Sequence, residues 1–151
     1  EVSPSSIYRY FVTKEGIVFH DEYDDELLGL LPALLADHSP YDAARAGLRA
    51  IAEAHFVSER EMTARRTRLW LGNPQIRKSV HVFADELSQH CVQTLMAAQP
   101  GRYDTLTAHT VVSSIIWGLI AALSVWHEEG GTGEIMAAFE RAIEVLEAGG
   151  R

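Results

Sequence analysis

The chain has 151 residues, 47% apolar and 23% charged, which suits one globular domain with a sizeable core and excludes disordered or fibrous chains. Thirteen Lys and Arg against 21 Asp and Glu leave a formal charge of -8, so no overall attraction draws it to nucleic acid or an anionic membrane; any such binding is local. Its single cysteine, Cys91, excludes an intrachain disulfide and a Cys-x-x-Cys zinc module, and suits a reducing cytoplasm.

No stretch alternates cleanly enough to be a strand, while helix signals recur along the whole chain. Ser3-Pro4 supplies an N-cap with Pro at the first helical position, opening a short helix to Phe11, and Thr13-Lys14-Glu15 opens the next. The acidic block at residues 21–26 lacks the spaced Gly and terminal Glu of a calcium loop and reads as a solvated face. Leu27, Leu28, Leu30, Leu31, Leu34 and Leu35 mark a helix that Pro32 is expected to kink or break.

Ser39-Pro40 restarts the chain into a helix at residues 43–56, and another at 58–71 is stopped by Gly72-Asn73-Pro74. The arginines of that second helix, Arg60, Arg65, Arg66 and Arg68, interleave with Glu59 and Glu61 and read as exposed surface. Residues 75–98 form a long helix with Ile76, Val80, Phe83, Leu87, Cys91 and Leu95 on one stripe, ended by Gln99-Pro100-Gly101. Helices at 104–129 and 132–148 follow, joined through Gly130-Gly131.

The apolar run 111–126 is interrupted by Ser113, Ser114, Gly118 and Ser124. It is expected to fall short of the ~20 residues of a bilayer span and to be a buried helix. No basic stretch followed by an apolar one is present at the start, so no signal peptide is expected in this sequence. The expected fold is all-α: a single bundle of about eight helices without a fixed repeat.

The N-terminal run carries the most specific pattern. A short capped helix with small residues in its first turn has the makings of a major-groove reader. Ser5 and Ser6 let the helix end approach base edges, Arg9 reaches a guanine edge or a phosphate, and Tyr8, Tyr10 and Lys14 grip phosphates. Val2-Ser3, Tyr8-Arg9-Tyr10-Phe11 and Thr13-Lys14-Glu15, in this order and spacing, resemble the second half of the helix-turn-helix of TetR-family transcriptional regulators.

That resemblance covers residues 2–19; beyond it, it is one of architecture. It implies a remnant of the DNA-binding domain at 1–20, with the start of the connecting helix, and a ligand-binding and dimerisation domain at 21–151. It places DNA contacts at Ser3, Ser5, Ser6, Tyr8, Arg9, Tyr10 and Lys14, with Ile7 and Phe11 in the core. The family's first helix and the first half of its helix-turn-helix would lie before Glu1, so the chain as it stands is not expected to bind its operator well.

The resemblance further implies a homodimer on palindromic operator DNA, released when a small molecule enters the C-terminal bundle. Apolar stripes and polar neighbours nominate Trp70, Phe83, Leu87, Cys91, His109, Ser113 and Trp117 as the pocket, suited to a lipophilic or aromatic effector. The helix from Thr107 to Trp126 is apolar on nearly every face and must be covered on all sides. The resemblance implies that this helix and the last one form a four-helix dimer interface, with Ile115, Leu119, Leu123, Trp126, Ile135, Phe139, Ile143 and Leu146 in it.

Enzyme readings find little support. The seven histidines are scattered, no HExxH or GxSxG occurs, and the helical pairs His81/Asp85 and Glu86/His90 read as surface contacts rather than metal sites. No cofactor is expected. The alternative to a cytoplasmic regulator is a helical dimeric scaffold or ligand-binding protein that never touches DNA.

Overall fold

The computed structural model describes residues 22–52, 56 and 60–149. Six α-helices run through them: α1 Glu22–Asp37, α2 Pro40–Ala52, α3 Arg60–Gly72, α4 Pro74–Ala98, α5 Thr105–Glu128 and α6 Ile135–Glu147. No strand occurs among the described residues, and the all-α bundle is as expected. The helices expected at 3–11 and from Thr13 lie outside the described residues.

Local chemistry sets the joints. Ser39 accepts from the Asp42 backbone N–H at 3.1 Å and donates its hydroxyl to the Asp42 carboxylate at 2.7 Å, so α2 opens in a reciprocal cap with Pro40 as its first residue. Asn73 accepts from the backbone of Gln75 and Ile76 at 2.9 and 3.4 Å and starts α4. Asp104 accepts from Thr107 N–H at 2.8 Å and starts α5. Between α5 and α6, Gly130 and Gly131 take φ of 95° and 66°, a region costly for other residues. The Trp126 indole N–H closes this turn by donating to the Gly133 carbonyl at 2.8 Å.

Of the kink or break expected at Pro32, the break does not occur, since helix α1 continues through it; the expected shortness of α5 needs correcting. Pro32 is exposed, so the carbonyl that loses its partner there can turn to water. Helix α5 has 24 residues and is long and apolar enough, by length and composition, to cross a bilayer; its serines do not shorten it. In the fold it packs against α2, α3, α4 and α6.

The core has two parts. Leu35, Ala43, Ala84, Val92, Leu95, Ala108, Val112 and Ile116 join α1, α2, α4 and α5. Leu48, Ile51, Phe56, Ala122, Trp126, Ile135, Phe139 and Ile143 join α2, α5 and α6. Arg45 pairs with Glu147 and Arg49 with Glu140, so ion pairs tie the outer edge of α2 to α6. Arg60 pairs with Glu134 and ties the start of α3 to the start of α6.

Candidate ligand cavity

A cavity of about 170 Å³ lies where the two core clusters meet. Its polar wall is a single face of α3. Thr63, Arg66, Thr67 and Trp70 follow one another at spacings of three, one and three residues and line up along that face. Thr63 and Thr67 are the buried residues of α3, and the Thr67 hydroxyl donates to the Thr63 carbonyl at 2.9 Å. That bond uses the only hydroxyl proton of Thr67, so toward any further partner its oxygen is an acceptor.

The remaining walls are apolar. Val80, Phe83 and Leu87 come from α4; Ile116, Leu119, Ile120 and Leu123 come from α5. Leu27, Leu48, Ile51, Phe56 and Phe139 complete the lining, with the Phe56 and Phe139 rings edge to face at 5.4 Å and 63°. Arg66 also borders an outer hollow of about 570 Å³ with Met62, Arg65, Arg68 and Leu69, so it stands between interior and surface.

Of the seven residues expected to form a pocket, Trp70, Phe83 and Leu87 meet here. The other four lie elsewhere. Cys91 lines a small void of about 70 Å³ among Leu31, Leu35, Ala43, Leu95 and Val112, where burial pushes its thiol up to about 11. Trp117, 39% exposed, lines a neighbouring hollow of about 280 Å³ and packs on the His81 ring at 5.0 Å. His109 is exposed, and Ser113 is half-buried outside the cavity lining. The physical reason is rotation: each residue turns about 100° around a helix axis. Ala108, Val112 and Ile116 point into the core, so their successors His109, Ser113 and Trp117 point away from it.

Reading α3 as surface missed Thr63, Arg66 and Thr67. The signal for them is a helix whose inward residues are threonines rather than leucines.

The dimer stripe is corrected in the same way. Ile115, Trp126, Ile135, Phe139 and Ile143 are buried within the protomer, and Ile143 is 0% exposed. Leu119 and Leu123 line the cavity, and Leu146 covers Gly118, where a Cβ would sit 3.0 Å from the Leu146 Cδ1. The short glycine turn folds α6 back on α5 of its own chain, and that hairpin consumes the stripe. Leu106, Trp117 and Val125 remain exposed on the outward face of α5 at 77%, 39% and 51%.

Ser3, Ser5, Ser6, Tyr8, Arg9, Tyr10 and Lys14 lie outside the described residues. Asp85 accepts from Gln89 at 2.9 Å while His81 turns to Trp117, so that helical pair does not converge. Among the described residues no three His, Cys, Asp or Glu side chains gather where a metal ion could be held. No protein-family model, curated protein or solved structure matches the chain.

Proposed function

We propose that the chain is the effector-binding and dimerisation part of a ligand-responsive transcriptional regulator of the TetR type, a repressor acting as a homodimer on palindromic operator DNA. The observation that carries the reading is the apolar cavity at the junction of the two core clusters. The cavity is walled by apolar side chains and opens past Arg66 to the surface, so a small lipophilic or aromatic effector entering it removes apolar surface from water at about 25 cal/mol per Å². The Val2-Ser3, Tyr8-Arg9-Tyr10-Phe11 and Thr13-Lys14-Glu15 pattern supports the DNA-binding half of the reading.

Helix α1 supports a route between the two functions. It contributes Leu27 to the cavity, and it follows directly on the N-terminal run. An effector that favours one tilt of this helix changes the spacing of paired reading heads in a dimer. The exposed apolar residues Leu106, Trp117 and Val125 of α5 support a second copy seated on that face.

The test is a gel shift of the complete gene product on the DNA upstream of its own gene, at low salt and with a panel of aromatic and acyl compounds. The expected result is a shifted band that one compound class abolishes. In the same assay Tyr8→Ala and Lys14→Ala weaken binding to all sequences alike, and Arg9→Ala relaxes sequence preference. No shift at low salt, where phosphate contacts are strongest, would overturn the DNA-binding half in favour of a ligand-binding dimer.

A further inference from the structure

We infer that the occupant of the cavity is a small monocarboxylate with a single-ring or short-chain apolar body, its carboxylate held by Arg66 at the mouth. This deepens the proposed effector site and rests on the cavity being a binding site.

Size comes first. An apolar cavity of about 150 Å³ takes up one benzene molecule. At about 170 Å³ the present cavity therefore matches one ring with a substituent of a few atoms better than a fused two-ring body.

Polarity comes second, and it is one-sided. Among the described residues, every polar side chain in the lining sits on the same face of α3, and the other lining side chains are Phe, Leu, Ile and Val. A ligand matching this lining has one polar end and an otherwise apolar surface. Within that face Arg66 is the only charged group, and it borders both the cavity and the outer hollow. A guanidinium carries five N–H donors in a planar fork, so it grips a carboxylate while keeping other partners within the chain.

Charge comes third. Helix α3 carries four arginines against one glutamate in a chain of net charge -8. Arg60 is tied to Glu134, whereas Arg65 and Arg68 line the outer hollow beside Arg66. Three arginines at that hollow give an approaching anion a favourable local potential, and Arg66 is where the hollow adjoins the cavity. A neutral effector would use none of this arrangement.

Isothermal titration calorimetry of the protein without DNA tests the inference, using benzoate, the isosteric neutral benzamide and the larger 2-naphthoate. Benzoate is expected to bind in a saturable manner, at least about tenfold more tightly than benzamide and than 2-naphthoate, a difference of about 1.4 kcal/mol. Arg66→Gln removes the preference for benzoate over benzamide, Arg66→Lys retains part of it, and Arg68→Gln, outside the cavity lining, leaves it intact. Thermal melts of each variant establish that the fold is retained. Equal affinity for benzoate and benzamide in the wild-type protein, or a preference that survives Arg66→Gln, overturns the carboxylate assignment. 2-Naphthoate binding as tightly as benzoate overturns the size assignment, and binding of none of the three overturns the small-monocarboxylate ligand altogether. None of these outcomes depends on DNA, so a failed gel shift and a failed titration are separate results.

Discussion

Replacing Gln99 tests the packing of α1 on α4 at one side chain. Gln99 ends α4, and its amide Nε2 donates to the carbonyls of Leu35 and, at 2.8 Å, His38. The Leu35 carbonyl is among the last four of α1, which lack intrahelical donors, and His38 follows the helix directly. Gln99 is 7% exposed, so water is a poor substitute. Gln99→Met keeps the length of the side chain and removes both N–H donors. Stranding a buried acceptor costs about 1–3 kcal/mol. Against this, Gln99 Oε1 is itself buried without a hydrogen-bond partner among the described residues, and its removal returns about 1 kcal/mol. With two acceptors stranded, the net loss is about 1–5 kcal/mol, or a fall of roughly 2–20 °C in Tm for a domain of this size.

Gln99→Glu sharpens the test. Its carboxylate would face two carbonyl oxygens in a buried site, so its folded pKa rises above the unfolded value of about 4.3. A raised carboxylate pKa favours the fold below the unfolded value and loses that contribution as pH rises through the folded value. The Glu variant is therefore expected to be more stable, relative to wild type, at about pH 4.5 than at about pH 8. Urea unfolding followed by circular dichroism reads both effects. A Met variant melting within about 1 °C of wild type, or a Glu variant that gains stability as pH rises, would refute the clamp.

Three further outcomes are expected. Cys91, with its thiol pushed up to about 11, carries at least roughly 100-fold less thiolate than a free cysteine, so maleimide labelling of the native protein is slower by that factor and becomes fast in urea; fast native labelling contradicts its burial. Ile143→Ala, at a fully buried position, costs about 2–5 kcal/mol by chemical denaturation, while Leu106→Ala, at 77% exposure, stays within about 0.5 kcal/mol; equal losses contradict the assigned core. Asp104 is held below the usual carboxylate range, chiefly by the Thr107 backbone N–H and then by the Thr107 hydroxyl. Its contribution is therefore present above the unfolded value of about 3.9 and lost as pH falls through the folded value. Asp104→Asn keeps the cap and should flatten that part of the acid dependence of Tm; an unchanged slope removes Asp104 from it.

The joints between helices were legible because they depend on local chemistry. Ser39-Pro40, Gly72-Asn73-Pro74 and Gly130-Gly131 act through caps and permitted φ values, whatever the tertiary fold. The facing of helices was less legible. Helix α5 is apolar nearly all round, so its sequence does not say which side meets its own chain, and the stripe nominated for a partner is covered by α6. Helix α3 has the opposite difficulty. Its arginines and threonines mark no apolar face, and only the position of α4 and α5 turns Thr63, Arg66 and Thr67 toward the interior. Phe83 and Leu87 were legible because cavity-lining residues on the amphipathic stripe of α4 share the periodicity of the core beside them.

The central claim is that occupancy of the cavity governs DNA binding, and the direct measurement is a gel shift of the complete gene product on its own upstream DNA across a titration of a compound shown by calorimetry to bind the cavity. The account expects the shifted band to disappear over the concentration range in which the cavity fills, and to persist in a Phe83→Trp variant whose larger ring occupies the space. A filled cavity with an unchanged band would contradict it.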